Sequence, residues 1–260
     1  MESKREHIFL SPHLDDTILS CSGLILQLIK ANLEVRIVTV FSGIPDLIGE
    51  PSSLVSHIHS LYGNLNDIVR VRRREDESAV KLLGADFLHL DFLDCIYRKD
   101  EAGDYYILTA ADIFGGLGPQ DQHLPEKIAT QVADLYSPSN VQIYAPLGIG
   151  NHIDHTITRL AALLLHKMGY SLISYEDYPY CENIMNSENV YAAFAGIEYQ
   201  KRNVRLSKED LIQKINAISS YQSQLQMLFD APEAMPSRVE RHSLEKGENY
   251  LMIEDNLFDK

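Results

Sequence analysis

The sequence predicts an α/β fold: one Rossmann-like, mostly parallel sheet with helices on both faces, formed by residues 1–260 as a single domain. Two observations lead there. Short apolar runs rich in Ile, Val, Leu and Phe alternate with longer stretches of helical periodicity, the order from which parallel sheets with crossover helices are built. No linker, repeat or low-complexity segment divides the chain, and its 260 residues suffice for one large domain with a full core.

His7 to Leu10 reads as the first strand and Ile18 to Ile29 as the first helix. Val35 to Phe41, dominated by β-branched residues, is the second strand and closes a βαβ unit. Ser42-Gly43-Ile44-Pro45 ends it, and the chain to about Asn66 reads as irregular, a long loop bordering a strand's carboxyl end. His57 and His59 lie in that loop and read as exposed. Ile68 to Leu83 is a charged helix. Most of Arg70, Arg72, Arg73, Arg74 and Arg98 read as a solvated face with neighbours such as Glu75, Asp76 and Glu77.

Phe87 to Phe92 is the third strand, with Asp91 and Asp94 at its end, and Tyr97 to Pro119 a loop or small hairpin. Leu124 to Leu135 is a helix, Gln142 to Leu147 a strand, Ile157 to Met168 a helix and Ser171 to Tyr175 a strand. Val190 to Tyr199 reads as a late strand. Ser207 caps a helix with Asp210 three residues on, and that helix runs to about Phe229. The tail from Ala231 is polar apart from Tyr250 to Ile253, an expected edge strand.

Composition narrows the function. With 23 Lys and Arg against 37 Asp and Glu, the formal charge of −14 argues against nucleic acid, whose phosphates need a basic face, and against anionic lipid. No apolar run is long enough to insert in a membrane. The charged stretch Met1 to Glu6 runs straight into a strand, which predicts no signal peptide and a cytoplasmic protein. Cys21, Cys95 and Cys181 are far apart and read as small buried apolar residues.

Two clusters carry the chemistry. Ser11-Pro12-His13-Leu14-Asp15-Asp16 joins the first strand to its helix, where ligands bind in open α/β sheets. One His with one Asp makes half of a metal site, and the second Asp is left over as a base. The competing reading is that one Asp only caps the helix. The second cluster, His152-Ile153-Asp154-His155, again follows an apolar run and a Gly-containing turn and again opens a helix. Two such junctions are hard to explain as unrelated caps.

The pair P-H-x-D-D and H-x-D-H resembles the PIG-L / LmbE-like family of zinc-dependent N-acetylsugar deacetylases, most closely the bacterial branch that includes glycopeptide-antibiotic deacetylases. Arg72 and Glu75, followed by Ala79 and Leu83-Gly84, resemble the family's R-x-x-E…L-G helix, and Tyr221-Gln222-Ser223-Gln224 resembles a late segment of many members. The resemblance implies Zn2+ (Fe2+ or another divalent ion as substitute) on His13, Asp16 and His155, with Asp15 as general base. It implies His152 beside the metal as oxyanion stabiliser, held charged by an ion pair with Asp154, although Asp154 as a simple cap stays open. It also implies sugar contacts by Arg72 and Asp94. Thr17 stands where the family often has Glu, and Ile149-Gly150-Asn151 offers no Tyr of the kind some members place before H-x-D-H. The expected partner is a small N-acetylated sugar or glycoconjugate, with homo-oligomerisation left open. An amidohydrolase acting on a non-sugar N-acyl compound is the alternative. A non-catalytic Rossmann-like module for sugar or nucleotide is another, although the first turn has no G-x-G-x-x-G to cradle phosphate.

Overall fold

The structure, a computed structural model, describes residues 5–46, 50–63, 67–183 and 198–253. Its elements in chain order are β1 (Glu6–Ser11), α1 (Asp16–Lys30), β2 (Val35–Thr39), α2 (Ser53–Leu61), α3 (Ile68–Leu83), β3 (Asp86–His89), α4 (Ala110–Ile113), α5 (Leu124–Leu135), β4 (Val141–Pro146), α6 (Ile153–Lys167), β5 (Ser171–Tyr175), β6 (Tyr199–Val204), α7 (Lys208–Ile218), α8 (Leu225–Phe229), α9 (Met235–Glu245) and β7 (Glu248–Ile253). They form a seven-stranded sheet of order β3-β2-β1-β4-β5-β7-β6. The first five strands in that order pair parallel, and β7 joins β5 and β6 antiparallel.

Alternate strand residues face opposite layers, as a pleated strand requires. Ile8 and Leu10 of β1 join one core with Ile128 and Val132 of α5 and Ile157 and Ala161 of α6. Phe9 enters the other, with Ile18 and Ile25 of α1, Val80 of α3 and Leu211 and Ile218 of α7. Each fully buried Ile, Leu or Val contributes on the order of 2 kcal/mol of hydrophobic stabilisation. The two-layer cover is what the near-continuous apolar strands call for.

The chain runs from β1 outward to β2 and β3, then returns to place β4 on the other side of β1. Strand order therefore reverses between β1 and β4, and a crevice opens above their carboxyl ends. Both His/Asp clusters lie there.

Three expectations need correction, and a fourth lies mostly outside the described residues. The stretch before Asn66 contains α2, whose start is fixed by Ser52 Oγ accepting from Val55 N at 3.2 Å. Its buried face is only Leu54 and Val55, too small an apolar signal to stand out among Gly, Pro and Ser. Residues 190–197 of the expected late strand lie outside the described residues, and the strand present is Tyr199–Val204. The Ser207–Asp210 capping box forms, but the helix stops at Ile218, and α8 is a separate short helix. The tail is not merely polar: it contributes α9, and β7 is an interior strand between β5 and β6.

Candidate active site

The first cluster leaves β1 with its backbone tied by Ser11, whose Oγ donates to His13 O at 2.7 Å and accepts from Thr17 N at 3.1 Å. Asp15 occupies the N-cap position of α1 yet makes no capping bond. Asp16 Oδ2 accepts from His13 N at 2.8 Å and lies 3.2 Å from His13 Nδ1 and 3.2 Å from His155 Nε2. The helix-cap reading of these two carboxylates is therefore not what the structure shows.

The second cluster starts one turn earlier than the periodicity suggests, because α6 begins at Ile153. The cap is His152, whose Nδ1 accepts from Asp154 N at 3.2 Å. Asp154, fully buried, is not a cap. Its Oδ1 accepts from Arg98 Nη2 at 2.5 Å, and its Oδ2 accepts from Cys95 N at 3.0 Å and lies 3.0 Å from His13 Nε2. No ion pair joins it to His152 among the described residues, so the expected Asp154–His152 pair is replaced by Asp154–Arg98 and Asp154–His13. Burial and the neighbouring His13 and His155 push His152 well below the usual imidazole range. With its Nδ1 accepting, the neutral ring carries its proton on Nε2.

Arg72 and Asp94 join the same crevice. Arg72 Nη2 lies 3.6 Å from Asp15 Oδ2 and its Nη1 4.0 Å from Asp94 Oδ2, while Asp94 Oδ2 is 3.8 Å from His13 Nε2. Arg72 is 9% exposed, and its guanidinium lies over the Tyr62 ring, with Nε buried and without a hydrogen bond. Burial first, and the Asp16 charge next, raise Asp15 to about 6 against the pull of Arg72 and His13. Asp16 moves the other way: burial opposes it, but His155 and His13 hold it well below the usual carboxylate range.

Several residues at the site were not singled out from sequence. Asp177, just past β5, accepts from His155 Nδ1 at 2.6 Å and from Ile149 N at 2.9 Å. Tyr180 follows it and stands edge-on to the His155 ring, centroids 5.4 Å apart. Phe114 stands edge-on to His152 at 5.6 Å. Arg98, expected on a solvated face, is 7% exposed and ion-paired with Asp154 and Asp121. Glu75 and Asp76 are likewise not partners of the helix arginines: Glu75 accepts from Ser223 N and Oγ, and Asp76 from Tyr221 and His89. The family-like helix and the late Y-Q-S-Q segment thus hold each other. His57 is exposed, and His59 bonds to Tyr97 at 2.8 Å away from the cluster. Thr17 sits beside the Tyr175 hydroxyl, 3.4 Å away, and Cys181 is only half-buried.

The donor set fits a divalent metal. His155 Nε2 is buried with no hydrogen bond; its 3.2 Å contact with Asp16 lies outside hydrogen-bond geometry. Its other nitrogen is fixed on a carboxylate, the arrangement that orients a metal-binding imidazole. His155, lowered by burial but raised more by Asp16 and Asp177, reaches about 9, so a proton occupies the lone pair for which a metal would compete. Among the described residues, three sets of donor atoms lie within 4.8 Å of one another: His13–His152–His155, Cys95–His152–Asp154 and His13–Asp94–Asp154. Asp16 belongs to none of them, yet its Oδ2 lies 3.2 Å from a ring nitrogen of His13 and 3.2 Å from one of His155.

Comparison with known proteins agrees with this chemistry. The profile of the family described as PIG-L, GlcNAc-PI de-N-acetylase, matches residues 8–165. A 2'-N-acetylparomamine deacetylase from Niallia circulans is 32% identical over 192 residues, covering 69% of each chain. The zinc-inhibited form of the teicoplanin deacetylase Orf2 superposes with a TM-score of 0.79 over 96% of this chain and 99% of its own, at 24% identity. A deacetylase of the teicoplanin biosynthesis pathway in its bog complex is 26% identical, with a TM-score of 0.75 over 96% and 99% of the two chains.

Proposed function

The chain belongs to the PIG-L family and is a metal-dependent N-deacetylase, and from that premise we propose that it removes the acetyl group of an N-acetylated amino sugar, free or in a glycoconjugate. The observation that carries the reading is the position of Asp16 Oδ2, 3.2 Å from one ring nitrogen of His13 and 3.2 Å from one of His155. A carboxylate and two imidazoles on one point are a zinc set with room for water.

His13, Asp16 and His155 would hold the ion, zinc or another divalent metal such as Fe2+. His152 is the weaker choice for third ligand, because its free lone pair already accepts the Asp154 N–H. The metal when bound supplies Lewis-acid polarisation of the amide carbonyl and a more acidic water. Asp15 takes the water's proton; it adjoins the ligands, is buried, and is held at about 6, a value suited to a base working near neutrality. His152, neutral and carrying Nε2–H, donates to the oxygen that gains charge. Its role survives the loss of the expected ion pair, because a neutral imidazole donates as well. Asp154 acts on His13 rather than on His152: anchored by Arg98, it fixes the second nitrogen of a ligand imidazole. Arg72 and Asp94 offer a planar donor fork and an acceptor to sugar hydroxyls.

A sugar rather than a plain N-acyl amine is favoured by this Arg–Asp pair beside the base. The acidic surface, with its net charge of −14, suits a substrate bearing free amines. No helix among the described residues is long and apolar enough to cross a membrane; the cytoplasm is the compartment proposed, and the whole chain one domain. The test is acetate release from a panel of N-acetylated aminoglycosides, glycopeptides and chitooligosaccharides against N-acyl amines, with and without chelator. Chelator-sensitive release from sugars alone is expected. Turnover only on N-acyl amines, or turnover indifferent to chelation, would overturn the reading.

A further inference from the structure

Phe114 is 46% exposed, yet its ring stands edge-on to His152, with centroids 5.6 Å apart and planes at 89°. A single exposed apolar residue is ordinary on a protein surface. This one is set apart by how firmly its backbone is held beside the crevice. Thr109 and Asp112 cap α4 reciprocally, and Asp112 Oδ2 also accepts from Leu108 N at 3.0 Å. Phe114 N closes the last turn on Ala111 O at 3.2 Å. Its neighbour Ile113 packs in the core, so Ile113 takes the inward position and leaves Phe114 outside. Behind the loop, Tyr106 donates to Asp121 Oδ1 at 2.6 Å, and Arg98 ties Asp121 to Asp154. The phenyl ring is thus fixed to the same frame as the second cluster, and nothing in the proposed chemistry uses it.

We infer that Phe114 is a specificity-determining residue, the platform on which the apolar face of the substrate's sugar ring rests. A pyranose has two kinds of surface: hydroxyls form a polar edge, and axial C–H bonds form an apolar face. Arg72 and Asp94 match the edge, on the side of the crevice where Arg72 lies 3.6 Å from Asp15 and Asp94 3.8 Å from His13. Phe114 matches the face, on the side of His152. A phenyl ring is negative over its face, so it attracts the slightly positive hydrogens of C–H bonds. The perpendicular contact with His152 covers at most one face of the ring, and the other stays open. Covering that open face with C–H groups also frees the water that wets it. A sugar gripped at its edge and at its face has one orientation, which the polar pair alone does not enforce. A linear N-acyl amine has no such face to offer. The inference rests on the sugar-deacetylase reading and deepens it.

The experiment compares Phe114→Ala, Phe114→Leu and Phe114→Tyr with the parent, as metal-loaded full chains, on the N-acetylated sugars that the parent turns over. Phe114→Ala should raise KM about tenfold, the size of one aromatic contact, and leave kcat within about twofold. Phe114→Leu stays apolar but has no aromatic face, so its KM should stay close to that of the Ala variant. Phe114→Tyr keeps the face and should match the parent. KM for an N-acyl amine without a sugar ring should not move. Metal content and melting temperature should hold in all three variants, because the ring is half in solvent. If Phe114→Ala melts early, the comparison of Leu with Tyr decides. An unchanged KM in Phe114→Ala, rescue by Leu as full as by Tyr, or a loss of kcat alone would overturn the proposal; the last would make Phe114 a support for His152 only. If the parent turns over no sugar, the function proposed above fails, and calorimetry with the deacetylated amino sugars decides the platform. It stands if Phe114→Ala weakens their binding, and falls if binding is unchanged or the parent binds none.

Discussion

Asp177 Oδ1 accepts from His155 Nδ1 at 2.6 Å, and both residues are buried. The second oxygen of Asp177 accepts from Ile149 N at 2.9 Å, so one carboxylate fixes the imidazole and the turn that leads to it. This contact fixes a proton on Nδ1 and turns Nε2, the nitrogen left for a metal to take from its proton, toward Asp16. Asp177→Asn keeps an acceptor of the same size but removes the charge that makes the imidazole a stronger ligand. Metal affinity should fall by roughly 10- to 100-fold, the usual effect of losing such an outer partner. Competition with a calibrated chelator measures it; an unchanged affinity would make Asp177 a packing residue only.

The two His/Asp clusters were legible because each stands at a strand-to-helix junction with short fixed spacing, and local sequence sets both. Asp177 was not, since its link to His155 depends on β4 and β5 being parallel neighbours with aligned ends. The available signal was positional: Asp177 directly follows a strand of a parallel sheet, on the side where ligands bind. Arg98 misled for the opposite reason. In an acidic chain an arginine reads as solvated, and only the fold shows Asp121 and Asp154 waiting for it in the interior. Helix α2 was hidden by its small buried face, whereas strand β7 was legible as Tyr250 to Ile253, and only its interior place between β5 and β6 needed the fold.

Gly150 and Tyr180 give a test of how tightly the crevice is built. Gly150 has φ +93°, where a side chain is strained, and a Cβ there would lie 2.8 Å from Tyr180 Cδ1. The Tyr180 ring in turn rests edge-on against His155. Gly150→Ala should cost about 1–3 kcal/mol from the backbone alone, and should displace the ring and lower kcat. Adding Tyr180→Leu should recover the steric part of the stability loss but not the backbone part. Melting temperatures of the two single variants and the double variant check this; strictly additive losses would show that the two residues do not interlock.

The division of labour between Asp15 and Asp16 is the sharpest test of the proposed chemistry. Asp16 touches both imidazoles, so Asp16→Asn exchanges an anionic ligand for a weak neutral one. Metal content should drop, and turnover should return only in part with excess metal. Asp15 touches neither His13 nor His155 within ion-pair distance; its charged neighbour at 3.6 Å is Arg72. Asp15→Asn should keep its metal and still lose roughly a hundred- to ten-thousandfold in turnover, as expected for a missing general base. The pH profile separates the two further. A base must be ionised to accept a proton, so parent activity falls as pH drops through the Asp15 pKa. Burial, then the Asp16 charge, set that value at about 6, and a bound dication can only lower it. The acid limb of kcat/KM should therefore lie no higher than about pH 6, and the residual activity of Asp15→Asn should lack that limb. Metal loss from Asp15→Asn with retention in Asp16→Asn would reverse the assignment. An acid limb that survives in Asp15→Asn would move the base to another residue.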